Sequence, residues 1–188
     1  MSTDESNMSG GGNQSRPLSA FVPGIKLQPQ DLNNACWYAS TMMLFEWYKK
    51  RNANATAFAQ NAQVIAAHRQ DNGLSWAAMK NYAKLVGMQV RPQMSPSPEL
   101  LGSWLESRGP IWTDGLFVDW QGNVTATGGH VVVIAGIKQV PSSDLYQIYV
   151  YDPWPPNVGH AGWRPISDFV GILGAGSNPN RDVTFLQY

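Results

Sequence analysis

The sequence predicts an α+β fold in which a helical half is followed by a half built of strands. Helical patterns occupy the chain up to Gly109, and strand patterns follow that residue. The chain has 188 residues, of which 43% are hydrophobic and eight are tryptophan, and this is enough for one domain with a sizeable core. A run of helices followed by a run of strands is typical of the α+β class.

Residues 1–20 are nearly all small and polar, and we expect them to form a flexible tail. A segment of this composition buries too little apolar surface to offset the entropy that it loses on ordering. The tail carries Asp4 and Glu5 and lacks an apolar stretch, so it does not have the pattern of a Sec signal peptide. The predicted domain therefore covers residues 21–188.

The first strong helix is predicted over Asn34–Arg51. From Ala35 to Tyr48 the segment is apolar on nearly every side, which indicates a helix buried inside the domain. Asn33 or Asn34 is the expected N-cap, because a side-chain oxygen at that position accepts a backbone N–H that the first turn leaves unbonded.

Three more helices are predicted over Thr56–Gln70, over Ser75–Val86, and from Pro98 to the residue before Gly109. Proline at the first position of a helix and glycine after its last are typical of helix boundaries. Apolar segments after Gly109, bounded by turn residues, predict strands. These strands are Pro110–Thr113, His130–Lys138, Leu145–Tyr151 and Val183–Gln187.

Composition argues against several classes of function. Thirteen basic and thirteen acidic residues give a formal net charge of zero, which argues against binding nucleic acid or an anionic membrane by bulk electrostatics. One cysteine permits no internal disulfide and no multi-cysteine metal site, and three histidines make a histidine-rich metal site unexpected. The longest apolar run, Val131–Ala135, is far shorter than the about 20 residues that cross a bilayer.

The single cysteine, Cys36, stands at the start of the first predicted helix. A thiol at a helix N-terminus lies at the positive end of the macrodipole and near unbonded backbone N–H groups, and both favour the thiolate. The thiolate is the reactive species, so Cys36 is a candidate nucleophile. The alternative is a small buried hydrophobic residue, as most lone cysteines are.

A cysteine nucleophile needs a base, and His130 is the candidate. It enters an apolar strand after two glycines, which leave room for a substrate backbone beside the imidazole. Asp152 ends the next strand, 22 residues later, so antiparallel pairing would bring its carboxylate beside the imidazole and orient the ring. The register stays open, because a slip of one residue turns Asp152 to the other face. The alternative is a core histidine bonded to backbone groups.

The two other histidines lack this setting. His68 is interpreted as a helix-face residue and His160 as a loop residue. Gln30 precedes Cys36 by six residues, and its side-chain amide is a candidate to join the Cys36 N–H in stabilising an oxyanion. The alternatives are that Gln30 is an ordinary loop residue or that Gln28 takes this place.

The four candidates occur in an order that resembles the papain-like cysteine peptidases. Within that clan, three segments are most similar to two bacterial groups: the avirulence-effector proteases injected into host cells, and the peptidases that remove double-glycine leaders from bacteriocins. The segments are Cys36–Ser40, Gly129–Gly136 and Val150–Trp154, and the resemblance covers residues 25–188. Together and in this order the three motifs are fairly specific, whereas each alone is weak.

The resemblance implies an N-terminal helical half with a buried central helix bearing Cys36, a C-terminal antiparallel sheet half, and a cleft between them. It implies that Cys36 is the nucleophile and His130 the general base and acid. Asp152 would be the orienting acceptor and Gln30 the oxyanion donor, and no metal or organic cofactor is required. The sequence departs from papain in lacking Cys-Gly-Ser before the nucleophile and in having Asp152 as the third member. The first departure removes a disulfide, which suits a reducing compartment.

The leading hypothesis is a cysteine endopeptidase acting through a thioester. A glutamine deamidase, an acyltransferase or a peptidoglycan amidase toxin would use the same triad, because the acyl-transfer chemistry is shared. A third hypothesis is a non-catalytic binding module with a surface at Trp120 and Trp154–Pro156.

The expected partners are a protein or peptide substrate and, for an effector or toxin, a host target or an immunity protein. Nucleic acid and membrane are not expected partners, and a monomer is the expected state. The expected setting is that of a secreted or translocated bacterial effector acting in a reducing cytosol.

Overall fold

The structure is a computed structural model that describes residues 18–53, 55, 61–91, 96–115, 129–168 and 185–188. Within these ranges the helices are α1 (Cys36–Lys49), α2 (Ala62–Arg69), α3 (Met79–Val86) and α4 (Pro98–Arg108), with a 3₁₀ turn over Trp76–Ala78. The strands are β1 (Ser19–Phe21), β2 (Gln89–Val90), β3 (Ile111–Gly115), β4 (His130–Gln139), β5 (Tyr146–Asp152), β6 (His160–Pro165) and β7 (Phe185–Gln187). Helices dominate the first half and strands the second, so the predicted α+β class is confirmed.

The described strands form one antiparallel sheet in the order β2-β7-β3-β4-β5-β6, and β1 adds to β4. The central strand β4 pairs with β1, β3 and β5. Its residues from Val131 to Ile137 are all buried, which agrees with a nearly continuous run of β-branched side chains. A strand covered on both faces provides a rigid base for a functional group at its end.

Helix α1 packs against β4. Thr41 on this helix is buried and donates its hydroxyl hydrogen to the Trp37 carbonyl of the preceding turn at 2.7 Å. The Trp37 carbonyl also accepts the indole N–H of Trp112 on β3 at 3.2 Å. The other buried residues of α1 are Trp37, Ala39, Ser40, Met43, Leu44 and Phe45. Of the helices in the described ranges, none has the length and apolarity needed to cross a membrane.

The N-terminus of α1 differs from the prediction. Ala35 is the N-cap and makes no side-chain capping bond, so neither Asn33 nor Asn34 caps the helix. Asn34 is instead bonded to Asp71: its backbone N–H donates to the Asp71 carboxylate at 2.7 Å, and its side-chain amide donates to the Asp71 carbonyl at 3.1 Å. Asp71, which is distant in the chain, therefore bonds Asn34, which local propensity predicted as a possible N-cap.

Two other helix starts also differ. In its described part, α2 begins at Ala62 with Asn61 as N-cap, whose side chain accepts the N–H groups of Gln63 and Val64. Residues 56–60 of the predicted second helix lie outside the described residues. The predicted third helix consists of the 3₁₀ turn followed by α3, and it ends at Gly87 in the left-handed conformation, as predicted.

Three strands were not predicted: β1, β2 and β6. β6 includes His160, so the interpretation of this histidine as a loop residue is wrong; the strand forms because it pairs with β5 along its whole length. β1 begins at Ser19, inside the segment expected to be a tail, and Ala20 in it is buried. Residues 1–17 of that predicted tail lie outside the described residues.

Gly109→Ala is expected to destabilise the fold by roughly 2–4 kcal/mol. Gly109 follows α4 with φ 95°, and a Cβ at this position would overlap the ring of Trp47 on α1. The cost combines left-handed backbone strain with crowding of a large ring, and urea unfolding measures it.

The matched control is Gly73→Ala. No atom lies within 4 Å of a Cβ built on Gly73, so this substitution is expected to change the free energy of unfolding by less than about 1 kcal/mol. Equal losses in the two variants would contradict the prediction.

Candidate active site

Cys36 is the first residue of α1 and is half-buried. The N-cap Ala35 provides no side-chain acceptor, and the first turn contains no acidic residue. No carboxylate of the helix itself therefore offsets the N–H groups and the positive dipole end at this terminus. Such a helix end favours a negative charge bound next to it.

His130 and Asp152 lie at the ends of adjacent strands and are hydrogen-bonded. The distance from Nε2 of His130 to Oδ1 of Asp152 is 2.7 Å, and the side chains are 19% and 9% exposed. The same carboxylate oxygen accepts the backbone N–H of Trp154 at 2.9 Å, which holds the carboxylate in place. The imidazole also interacts with Cys36, and this interaction helps to raise the pKa of His130. These interactions bring together three groups from α1, β4 and β5.

A β-bulge in β4 determines that Asp152 faces His130. The pairing with β5 shifts by one residue between Ile134 and Gly136, so that Val133 lies opposite Tyr151. Continuing this pairing by one residue sets Asp152 opposite Val132, which is on the same face as His130. Without the bulge Asp152 would lie opposite Val133, on the other face.

The bulge is hydrogen-bonded to the N-terminal segment. The extra residue is Ala135, and its carbonyl accepts the backbone N–H of Val22 at 2.7 Å. Val22 directly follows β1, so this bond continues the pairing of β1 with β4 by one residue and holds the bulged residue from the edge opposite β5. The register that brings His130 and Asp152 together is therefore supported by a contact outside the two strands.

Burial by itself would lower the pKa of His130, because it disfavours the charged imidazolium. The hydrogen bonds with Asp152 and Cys36, together with their negative charges, outweigh burial and raise the pKa of His130 from 6.5 to about 10. The imidazolium is thus the favoured form at neutral pH. A proton held here is available to a leaving group bound beside Cys36.

Gln30 is buried and is anchored by its backbone to the segment that follows Asp152. Its N–H donates to the Pro153 carbonyl at 3.0 Å, and its carbonyl accepts from Asn157 at 2.8 Å. Its side-chain amide donates to the carbonyls of Leu32 and Asn33 at 2.7 and 2.8 Å.

Both amide protons of Gln30 are therefore used inside its own loop. The amide oxygen Oε1 is buried and has no hydrogen-bond partner among the described residues. An oxyanion would accept a hydrogen bond from this amide only after one of the two loop bonds is released, so the role of Gln30 as oxyanion donor stays a prediction. Gln28, the alternative, is half-buried.

The residues just after α2 are hydrogen-bonded to the loop before Cys36 and to α1, and these contacts were not predicted. Besides the two bonds between Asn34 and Asp71, the Trp37 indole donates to the Asn72 carbonyl at 3.0 Å. His68, predicted as a helix-face residue, has its Nε2 2.8 Å from Oδ1 of Asp31.

The His68 ring also stacks on Tyr38 of α1, with 4.0 Å between the ring centroids. His68 thus contacts the loop and α1 together. The partners in these contacts are 30 to 37 residues apart in the chain, and no local pattern indicates them.

Two of the remaining candidates, His160 and Trp154, lie next to Asp152. His160 on β6 is opposite Asp152. Trp154 is exposed, whereas Trp120 lies outside the described residues. In the described ranges no group of three or more His, Cys, Asp and Glu side chains is placed to hold a metal ion.

Comparison with known families agrees with the sequence motifs. A family model described as papain-like cysteine protease AvrRpt2 matches residues 22–163, which is well over half of the chain and includes all four candidate residues. None of the curated proteins compared with the chain matches it. The bacterial-effector resemblance inferred from the three motifs is therefore the one that the family comparison shows.

The stabilisation that His130 gains from its partners is expected to depend on pH. Because the pKa of His130 is raised from 6.5 to about 10, its contribution to the free energy of unfolding is complete below pH 6.5 and is lost as the pH rises through about 10. The difference in unfolding free energy between the natural chain and His130→Gln should shrink over this interval. Urea titrations at a series of pH values measure it.

Asp152→Asn serves as the companion variant. It keeps the size of the side chain but removes the charge that helps to raise the pKa of His130, so its own pH dependence is expected to be flatter. A His130→Gln difference that stays constant or grows with pH would refute this account.

Proposed function

The chain belongs to the papain-like cysteine protease AvrRpt2 family, and on this premise we propose that it is a cysteine endopeptidase acting through a thioester acyl-enzyme. The observation that carries the proposal is that Cys36, His130 and Asp152 come together: the imidazole is 2.7 Å from the Asp152 carboxylate, and its interaction with Cys36 helps to raise the pKa of His130. In this proposal α1 is the central helix of the helical half, and substrate binds in a cleft between that half and the sheet.

Acylation begins with the Cys36 thiolate and the His130 imidazolium as an ion pair. The sulfur attacks the carbonyl carbon of the scissile peptide bond, and the electron pair of the C=O bond moves to oxygen. The imidazolium then donates its proton to the amide nitrogen, the C–N bond breaks, and the amine leaves. Asp152 keeps the imidazole oriented through its bond to Nε2.

Deacylation uses the same residues, with His130 acting as the base and the Cys36 sulfur as the leaving group. The neutral imidazole accepts a proton from water, the hydroxide oxygen attacks the thioester carbon, and the C–S bond breaks. The carboxylic acid leaves, and Cys36 with His130 returns to the ion pair. His130 donates or accepts each proton that is transferred, so the proposed chemistry requires no metal or organic cofactor.

The oxyanion of each tetrahedral intermediate is proposed to form at the N-terminus of α1. The absence of a capping side chain and of acidic residues in the first turn favours a negative oxygen next to Cys36. Gln30 is the proposed second donor. Its backbone anchors hold it in the loop while its amide exchanges one carbonyl partner for the oxyanion.

The proposed substrate is a protein or peptide, and the proposed setting is a bacterial effector acting in a reducing cytosol. A lone cysteine without a structural disulfide suits that compartment. A host target or an immunity protein would be its macromolecular partner.

Cys36→Ala is expected to abolish peptide-bond cleavage. The natural chain and the variant are incubated with a host-cell lysate, and new peptide N-termini are identified by mass spectrometry. New termini with the natural chain alone support the endopeptidase. A mass shift on glutamine without new termini would assign the chain to the deamidases instead.

Iodoacetamide labelling gives a second, substrate-free measurement. Because the chain has one cysteine, the label reports Cys36 alone, and an activated thiolate reacts even at mildly acidic pH. His130→Ala is expected to lose this labelling while its thermal unfolding stays cooperative. A natural chain that gives neither labelling at acidic pH nor new termini would be a binding module.

Gln30→Ala is expected to lower kcat by about 10²–10³-fold with little change in KM, because it removes a donor that acts on the transition state. Gln28→Ala is the control, since this glutamine lies two residues earlier and is half-buried. Peptide hydrolysis under saturating and limiting substrate separates kcat from KM. A Gln30→Ala variant with the kcat of the natural chain would remove Gln30 from the oxyanion site.

A further inference from the structure

Ser40 is a buried hydroxyl residue on α1 whose hydrogen bond leaves its own helix. A serine or threonine inside a helix commonly donates to the carbonyl four residues earlier. Thr41 does so, with 2.7 Å to the Trp37 carbonyl. Ser40 is fully buried and instead donates to the carbonyl of Val131 on β4 at 3.1 Å.

The two ends of this bond lie directly beside the nucleophile and the base. Ser40 follows Cys36 by four residues, so the two side chains share one face of α1, one turn apart. Val131 follows His130 in β4. The bond therefore joins the helix that carries the thiol to the strand that carries the imidazole, one helical turn from Cys36 and one residue from His130.

Apart from Ser40 and Thr41, the buried residues of α1 and β4 are apolar. Apolar packing has no preferred direction and tolerates small displacements along the helix axis. A hydrogen bond weakens steeply when its distance or angle departs from the optimum. The Ser40 bond can therefore fix the position of α1 along β4, which the ion pair of the proposed mechanism needs and which packing does not provide.

We propose that Ser40 is a positioning residue that sets the distance between the Cys36 sulfur and the His130 imidazole. The proposal rests on the proposed function, since it assigns Ser40 to the thiolate–imidazolium pair. It gives Ser40 no contact with substrate. When the Ser40 hydroxyl is removed, α1 stays packed on β4, but the Cys36 sulfur and the His130 imidazole are held less closely.

The charged groups around this pair come from each neighbouring strand. His130 contacts Cys36 on α1 and Asp152 on β5. Asp114 on β3 lies opposite Val131, and His160 on β6 lies opposite Asp152. Substituting Ser40 leaves all of these groups in the chain, so a change in the pH profile would report spacing rather than the loss of a titrating group.

The experiment is the pH dependence of iodoacetamide labelling of Cys36 in the natural chain, Ser40→Ala and Thr41→Val. Ser40→Ala is expected to shift the acidic limb upward by about one pH unit, which is about tenfold in rate at mildly acidic pH. Thr41→Val removes a buried hydroxyl from the same helix without touching β4, and is expected to keep the profile of the natural chain. Peptide hydrolysis by Ser40→Ala is expected to show a lower kcat at unchanged KM.

The outcomes separate this proposal from the endopeptidase proposal. If the natural chain is labelled at acidic pH and Ser40→Ala behaves in the same way, or if both variants lose labelling equally, Ser40 is not a positioning residue and the peptidase proposal stands. If the natural chain itself shows no labelling at acidic pH, the ion pair is absent and both proposals fail. Should Ser40→Ala not fold, Ser40→Thr and Ser40→Val form an isosteric pair that differs only in the hydroxyl, and equal profiles would overturn the proposal.

Discussion

The hydrogen bond between the His130 imidazole and the Asp152 carboxylate is the contact on which the rest of the site depends. It spans 2.7 Å between two largely buried side chains, and burial of such a charged pair is tolerated only when its remaining hydrogen-bonding positions are used. The backbone N–H of Trp154 bonds to the carboxylate, and Cys36 interacts with the imidazole. The carboxylate and the thiol together keep a proton on a ring that burial alone would leave neutral.

The loop before Cys36 is held from two sides, and this explains how an irregular segment can carry precise chemistry. Gln30 is bonded to the connection between β5 and β6, and Asn34 is bonded to the end of α2. Each contact removes conformations that the loop would otherwise sample. The conformational entropy of the loop is therefore lost during folding and not during each turnover of the proposed reaction. Cys36, the proposed nucleophile, thus directly follows a loop whose anchors come from both halves of the fold.

Much of the helical half follows from local sequence. Pro98 opens α4, Gly109 follows it, and Gly87 ends α3, because each of these residues restricts or permits backbone angles by itself. The N-terminus of α1 was predicted less well. Its asparagines satisfy the rule for capping, but Asp71, 37 residues away, offers Asn34 a bond that local propensity does not include. β6 was missed for the same kind of reason, since pairing with β5 stabilises a segment of weak strand propensity.

The sequence by itself determined the α+β class, the order of the candidate residues and the position of Cys36 at a helix start, because these depend on residue type and on neighbours in the chain. Only the tertiary structure decided on which face of the sheet the Asp152 side chain lies. That face depends on one extra residue, Ala135, in the pairing of β4 with β5. A bulge forms when the free energy of the whole sheet and of its contacts, here with Val22, favours it. The local sequence pattern of either strand does not reveal this total free energy.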